Sequence, residues 1–306
     1  MGKGKLAFVG VGMIGAGLAV NAMLQGFETA LYDIQPVEHN IWAALHALVD
    51  AGVCTRAQAE EAFNRGHYTD DLAQAVAGAQ FVQECVAENL ELKQQMYRQI
   101  QEITGDGAVI ASSTSMLLPS KLQEGALHPE CILVGHPYNP SYLLPLVEVC
   151  GGERTSQANV DKAVELYTAM GKMPIVCRKE AFGLIVNMVS WAALDAAKKA
   201  ILGGVCTVEE MDKALMFGPG LRMAVTGQVL TISLGVKGGM RAMGAKYGQA
   251  NPEDLILADG LDEELAHRPK ALGQDHESVA VFRDRAIARI LRDQGVLELH
   301  GEDDAP

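Results

Sequence analysis

The sequence has no apolar run near the roughly 20 residues that a membrane-spanning helix requires, which excludes a helical membrane protein. It has no CxxC pair and no close grouping of metal-ligating residues. Its six cysteines, Cys54, Cys85, Cys131, Cys150, Cys177 and Cys206, are scattered. Scattered thiols fit reduced cysteines in a cytoplasmic protein better than a disulfide framework or a cysteine-built metal cage. Basic charge is also scarce: 25 Lys+Arg stand against 38 Asp+Glu, a formal net charge of −13 at pH 7. That balance argues against a nucleic-acid surface and against anionic membranes, both of which need basic patches. It leaves room for a small anionic ligand held by a few local cations. There is no internal repeat. The opening MGKGKLAFVGVGMIG runs directly into a strand and a glycine turn, so no signal peptide is expected.

What is present is a chain of 306 residues, 49% hydrophobic and 21% charged, long enough for two domains with sizeable cores. From residue 5 to about 180, short apolar runs alternate with amphipathic stretches. KLAFVG, TALYD, FVQECV, AVIASS, CILVGH, LVEVC and PIVCR read as strands. Residues 14–26, 37–52, 89–103 and 156–171 read as helices between them. Such alternation predicts an α/β fold with a largely parallel sheet covered on both faces. After residue 183 the alternation stops. Helices are expected over 184–203, 207–216 and 276–295, with Thr207 and Glu210 forming a capping box, a glycine-rich region over 218–248 and a frayed GEDDAP tail. The expected organisation is an N-terminal Rossmann-like dinucleotide-binding domain, residues 1–182, followed by an all-α domain, residues 183–306.

FVGVGMIGAG sets Gly10, Gly12 and Gly15 in a GxGxxG frame after a strand and at the opening of a helix. Gly10 permits the tight turn, Gly12 lets backbone approach a pyrophosphate, and Gly15 permits close helix–strand packing. The first helical turn, with Met13 and Ile14, offers unpaired amides to a diphosphate. The next strand ends in Asp33, whose carboxylate suits ribose hydroxyls and repels a 2′-phosphate. Ile34, Gln35 and Pro36 supply no cation for that phosphate, so NAD is expected rather than NADP. The alternative is a Rossmann-like domain that binds FAD, another nucleotide or nothing.

GHPYNPSYLLPLVEVCGG raises a separate point. CILVG delivers His136 to a strand C-terminus, where open parallel sheets bind ligands. The interval to Glu148 is shorter than the crossover of about a dozen residues or more that a parallel partner needs. The next strand should therefore return antiparallel and bring Glu148 beside His136. A carboxylate among Leu146, Val147 and Val149 needs a partner. An imidazole satisfies it and has its tautomer fixed in return, as a general base requires. The same pair is compatible with a purely structural ion pair. Ser112, Ser113, Thr114 and Ser115 cluster at the same sheet end, where hydroxyls either contact a substrate or cap the following helix.

GHPYNPSYLLPLVEVCGGERTS, ASSTSMLLPSKL and FGPGLR are long, specific runs. On them the chain resembles the 3-hydroxyacyl-CoA dehydrogenase superfamily over nearly its full length, and most of all its branch of L-carnitine dehydrogenase and lambda-crystallin (L-gulonate 3-dehydrogenase). The resemblance implies an NAD domain, a helical domain that forms a homodimer, and an active site between them. It implies His136 as catalytic base, Glu148 as its orienting partner and Ser115 as a hydroxyl contacting substrate and cofactor. It further implies Asn139 as a nicotinamide-side contact, Glu88 and Lys93 in ENLELK as cofactor contacts, and Asn187 in FGLIVN as the amide that binds the reacting oxygen. Here Met188 follows Asn187 where the family has arginine, and EAFGL replaces a Pro-Gly-aromatic run.

Hydride transfer between NAD and the β-hydroxyl of a small polar 3-hydroxy acid, such as carnitine, gulonate or 3-hydroxybutyrate, is the expected reaction. An acyl-CoA substrate is the alternative. Against it, residues 34–72 hold no lysine, and Arg56 and Arg65 stand there against Glu38, Asp50, Glu60, Glu61, Asp70 and Asp71. A quaternary ammonium is usually held over aromatic faces. After residue 183 the aromatics are Trp191, Phe217, Tyr247 and Phe282, and Met223, Val225 and Ile232 stand where carnitine dehydrogenases look more aromatic; Tyr138, Tyr142 and Trp191 could still contribute to a cage. For a carboxylate, Arg222 after GPG is the candidate cation. A non-catalytic structural or regulatory protein that binds NAD is the competing class.

Overall fold

The computed structural model describes residues 4–243 and 251–298; Tyr247 and the GEDDAP tail lie outside them. The chain divides into two compact units, residues 1–193 and 194–306.

The first unit holds one sheet of eight strands: β1 (Lys5–Val9), β2 (Glu28–Tyr32), β3 (Gly66–Thr69), β4 (Ala79–Glu84), β5 (Val109–Ser112), β6 (Ile132–Pro137), β7 (Leu146–Gly151) and β8 (Met173–Cys177). Their order is β3-β2-β1-β4-β5-β6-β7-β8. Every neighbouring pair is parallel except β6 and β7. This is a doubly wound, Rossmann-like sheet. Its helices are α1 (Met13–Leu24), α2 (Glu38–Asp50), α3 (Arg56–Asn64), α4 (Leu72–Val76), α5 (Leu90–Thr104), α6 (Pro119–Leu122) and α7 (Gln157–Ala169). Side chains alternate across each strand. Leu6 and Phe8 therefore join one apolar cluster with α1, α2, α3 and α7, and Ala7 and Val9 join another with α4 and α5. β1, central and covered on both sides, is apolar at nearly every position, as a buried parallel strand must be.

β3, α3 and α4 were not anticipated. GHYT carries too little apolar residue to read as a strand, yet it pairs with β2 from Thr29 to Tyr32. Its neighbour Phe63 stacks on Trp42, with ring centroids 4.4 Å apart.

Helix α8 (Leu184–Leu202) begins in the first unit and runs through the division at residue 193. The second unit continues with α9 (Val208–Leu215), α10 (Leu221–Thr226), α11 (Gln228–Leu234), α12 (Pro252–His267) and α13 (His276–Asp293). Thr207 and Glu210 cap α9 reciprocally. FGPG, at the end of α9, forms a π-type turn around Pro219, which has no N–H to continue a regular helix. α12 was also missed in sequence. Leu230, Met240, Ala258, Leu261, Leu265 and Val279 form this unit's core. Among the described residues no helix is long and apolar enough to cross a membrane.

One buried charge stands out. After α7 the chain turns at Gly171 (φ +80°), and Lys172 points inward with 5% of its surface exposed. Its ammonium donates to the carbonyls of Ser141 (2.5 Å) and Leu144 (3.1 Å). Burial pulls its pKa down from 10.5 to about 8. The folded state thus gives up this proton first, and between about pH 8 and 10.5 the unfolded chain binds more protons. The penalty on the fold is full below pH 8 and fades as pH rises. Denaturant unfolding of wild type and Lys172→Met checks this: the stability difference should shift in wild type's favour across that interval. A constant difference would mean a solvated ammonium.

Candidate active site

The glycine turn is built by close approach. A Cβ on Gly10 (φ +87°) would lie 2.7 Å from the backbone of Cys85, and one on Gly15 would lie 2.1 Å from the Gly10 carbonyl. A Cβ on Gly12 would meet nothing within 4 Å, so this side of the turn is open. Gly12 also begins α1, which has no side-chain cap and no acidic residue in its first turn. The free first-turn amides, with Met13 and Ile14, therefore face an uncontested position for a diphosphate.

Asp33 sits just past the end of β2. Its Oδ2 accepts from the Val11 amide (2.8 Å) and its Oδ1 from the Gln35 amide (3.2 Å), which ties the glycine turn to the second strand. A pocket of about 260 Å³ opens beside it, lined by Asp33, Ile34, Gln35, Pro36, Val37, Glu38, Tyr68, Thr69 and Asp70. Three carboxylates and no cation line that pocket, an environment that favours ribose hydroxyls over a 2′-phosphate.

Lys93 and Glu88 belong to a network that runs from the interior towards the serine cluster. Glu84, fully buried in β4, accepts from Lys93 (2.7 Å), the Val86 amide (2.7 Å), the Tyr97 hydroxyl (2.5 Å) and Ser112 (2.7 Å). Lys93, 1% exposed, also lies 3.5 Å from Glu88. Glu88 accepts from the Thr114 hydroxyl and from the Ser115 amide (3.3 Å). Thr114 in turn caps the turn that follows, accepting from the Leu117 amide at 3.0 Å. Glu84 and Tyr97 were missed in sequence. The available signal was the one that marked Glu148: a lone carboxylate inside an apolar strand.

The cleft itself, about 310 Å³, is lined by Ile14, Ser113, Ser115, His136, Pro137, Tyr138, Asn139 and Asn187. β6 and β7 pair with His136 directly opposite Glu148. Opposite residues of an antiparallel pair share a face, and His136 Nδ1 lies 2.9 Å from Glu148 Oε2. Both residues are buried. The other carboxylate oxygen, Oε1, accepts from the amides of Ile185 (2.8 Å) and Val186 (3.0 Å) at the start of α8. Gly183 (φ +79°) and Leu184 (φ +54°) make the turn that aims those amides at Glu148. Asn187 follows within the same helical turn. Ser190, one turn along α8, holds the Tyr138 hydroxyl at 3.1 Å. Ser113 is bound by Gln83 Nε2 and by Cys85 Sγ, each at 2.8 Å. Burial raises the Cys85 thiol to about 12, so it stays protonated. The structure thus gathers Ile14, Ser115, His136, Asn139 and Asn187 on one cleft. Glu148 stands directly behind His136, and Lys93 is drawn into the interior. Arg222 lies in α10 of the second unit, exposed.

Comparison with known proteins identifies the family. The family model for the NAD binding domain of 3-hydroxyacyl-CoA dehydrogenase matches residues 5–181, and the model for its C-terminal domain matches residues 183–273. The chain belongs to the 3-hydroxyacyl-CoA dehydrogenase family; it is an NAD-dependent oxidoreductase. It is 36% identical to the L-carnitine dehydrogenase of Streptomyces coelicolor, over 96% of this chain and 95% of that one. With the L-carnitine dehydrogenase of Burkholderia mallei it shares 38% identity over 93% and 92%. Among solved structures, 3-hydroxybutyryl-CoA dehydrogenase from Escherichia coli is 27% identical with a TM-score of 0.65, covering 84% of this chain and 56% of that one.

Removing the carboxylate nearest the expected ribose tests the second-strand reasoning. Asp33→Ala should lower kcat/KM for NAD and shrink the NAD-to-NADP preference by about tenfold or more, each factor of ten corresponding to about 1.4 kcal/mol. Steady-state kinetics with both cofactors would read this, and a wild-type preference for NADP would refute it.

Proposed function

We propose that the chain transfers a hydride between the β-hydroxyl of a small, polar 3-hydroxy acid and NAD, with His136 as general base. The observation that carries the proposal is the 2.9 Å bond between His136 Nδ1 and Glu148, in a cleft whose other polar side chains are hydroxyls and amides. A carboxylate on Nδ1 keeps that nitrogen protonated and leaves Nε2 free to accept a proton. His136 takes the hydroxyl proton as the C–H bond breaks and the carbonyl forms; in the reverse direction it returns the proton. Ser115 and Asn187 hydrogen-bond the reacting oxygen. NAD, when bound, supplies the hydride acceptor. Gly10, Gly12, Met13, Ile14 and Gly15 would hold its diphosphate, Asp33 its adenosine ribose, and Glu88, Ser115 and Asn139 its nicotinamide end; Lys93, buried against Glu84, would act only by holding Glu88.

Support for a small acid comes from relatives named L-carnitine dehydrogenase and from the lysine-free stretch 34–72, which offers little to the phosphates of an acyl-CoA. Arg222 is proposed as the cation for the substrate carboxylate. Residues 1–182 are assigned to the cofactor and residues 183–306 to substrate binding and homodimerisation, in a cytoplasmic enzyme.

A panel of carnitine, L-gulonate, 3-hydroxybutyrate and a 3-hydroxyacyl-CoA, followed by NADH absorbance, decides the substrate; turnover of the acyl-CoA alone would sink the small-acid assignment. His136→Ala should keep NAD affinity and lose about 10²–10⁴-fold in kcat. Glu148→Gln is more discriminating. Its amide oxygen can still accept from the α8 amides, whereas its NH₂ would face Nδ1 and select the tautomer protonated on Nε2. A cooperative thermal melt with kcat lowered on the order of 10²-fold is expected, and unchanged kcat would argue against the orienting role.

A further inference from the structure

The loop between β6 and β7, residues 138–145, forms one wall of the cleft through Tyr138 and Asn139. Apolar packing holds it only in part, through Tyr142 against the cluster of α1, α2, α3 and α7. Leu143 is 48% exposed, and behind the loop lies a cavity of about 370 Å³ lined partly by Tyr142, Leu143, Pro145, Asn21 and Lys172. A loop with empty space at its back can retreat unless polar ties prevent it.

The loop's ends are held by the Tyr138–Ser190 bond and by the Met173 amide on the Pro145 carbonyl; on its middle, residues 141–144, three further ties converge, two of them from α1, the helix that opens the glycine turn. Ser141, 1% exposed, donates from its hydroxyl to the Ile14 carbonyl at 3.0 Å. The Asn21 amide donates to the Tyr142 carbonyl at 3.0 Å. Between them Gly17 clears the way, since a Cβ there would lie 2.1 Å from Ser141 Oγ. Lys172, which follows α7, donates to the carbonyls of Ser141 and Leu144.

Two of these ties are costly to the fold. Among the described residues no carboxylate pairs with Lys172, and a buried ammonium held only by carbonyl dipoles is paid for in desolvation. Asn21 leaves its Oδ1 buried without a hydrogen-bond partner. A lone packing role would be met better by an apolar side chain at either position.

We propose that Lys172 is a positioning residue: with Ser141 and Asn21 it clamps the 138–145 loop against α1, fixing Asn139 and Tyr138 at the wall that receives the nicotinamide end of the cofactor. Lys172 does not line the cleft and acts only through the loop. The proposal rests on the nicotinamide-side placement of Asn139 given above.

Lys172→Met tests it, because methionine keeps the length and loses the donors. Amides of residues 138–145 in the cofactor-free protein should exchange with deuterium faster than in wild type. Binding should split. NAD affinity is expected to weaken about 5–10-fold, about the effect of one lost polar tie. ADP-ribose, which lacks the nicotinamide, should bind as before. Equal weakening of both ligands, or no change in either, would overturn the proposal. Ser141→Ala removes a different tie on the same loop and should give the same split; it carries the test if the methionine variant does not fold. Neither measurement needs substrate or turnover, so their failure is separable from failure of the His136 assignment, which turnover reports.

Discussion

Glu148 is the constraint around which the cleft is organised. A carboxylate buried within a sheet must have its lone pairs satisfied. Glu148 meets that demand with two unlike partners, the imidazole of His136 on one oxygen and the first amides of α8 on the other. Each is useful to the other. Backbone amides hold the carboxylate still, and a fixed carboxylate sets the ring's orientation. Because Asn187 follows those amides within a helical turn, the proposed base and the amide proposed to bind the reacting oxygen share one anchor.

The electrostatics around the cofactor follow a similar economy. Cations are few, and where one is buried it is occupied. Lys93 is held between Glu84 and Glu88, from which the chain of bonds continues to Thr114 and the Ser115 backbone. Among the described residues the cleft itself has no carboxylate or fixed cation on its wall. Hydroxyls, amides and the His136 imidazole line it beside Ile14 and Pro137, so binding there depends on hydrogen-bond geometry more than on net charge. The acidic residues gather instead beside Asp33, where a sugar hydroxyl can use them.

Much of the fold was legible because period and punctuation are local properties. The strands of the sheet core stand close to where apolar runs stood, and the short interval between His136 and Glu148 was enough to foresee an antiparallel return. What was not legible depends on tertiary context. β3 is a four-residue strand stabilised by its neighbour β2 and by the stacking of Phe63 on Trp42, none of which GHYT advertises. α12 has an apolar pattern too weak to stand out alone, although Leu261 and Leu265 supply its unit's core. Lys172 reads as an ordinary surface lysine after a helix; only the path of the 138–145 loop puts it inside. The same holds for Glu84, whose partners Tyr97 and Ser112 come from different elements.

All the residues that line the cleft fall before residue 193, whereas α8 carries on past it. Every described residue on that wall, and Glu148 behind it, therefore belongs to one stretch of chain with its own core, and a change in sequence downstream of the midpoint of α8 leaves their identities untouched.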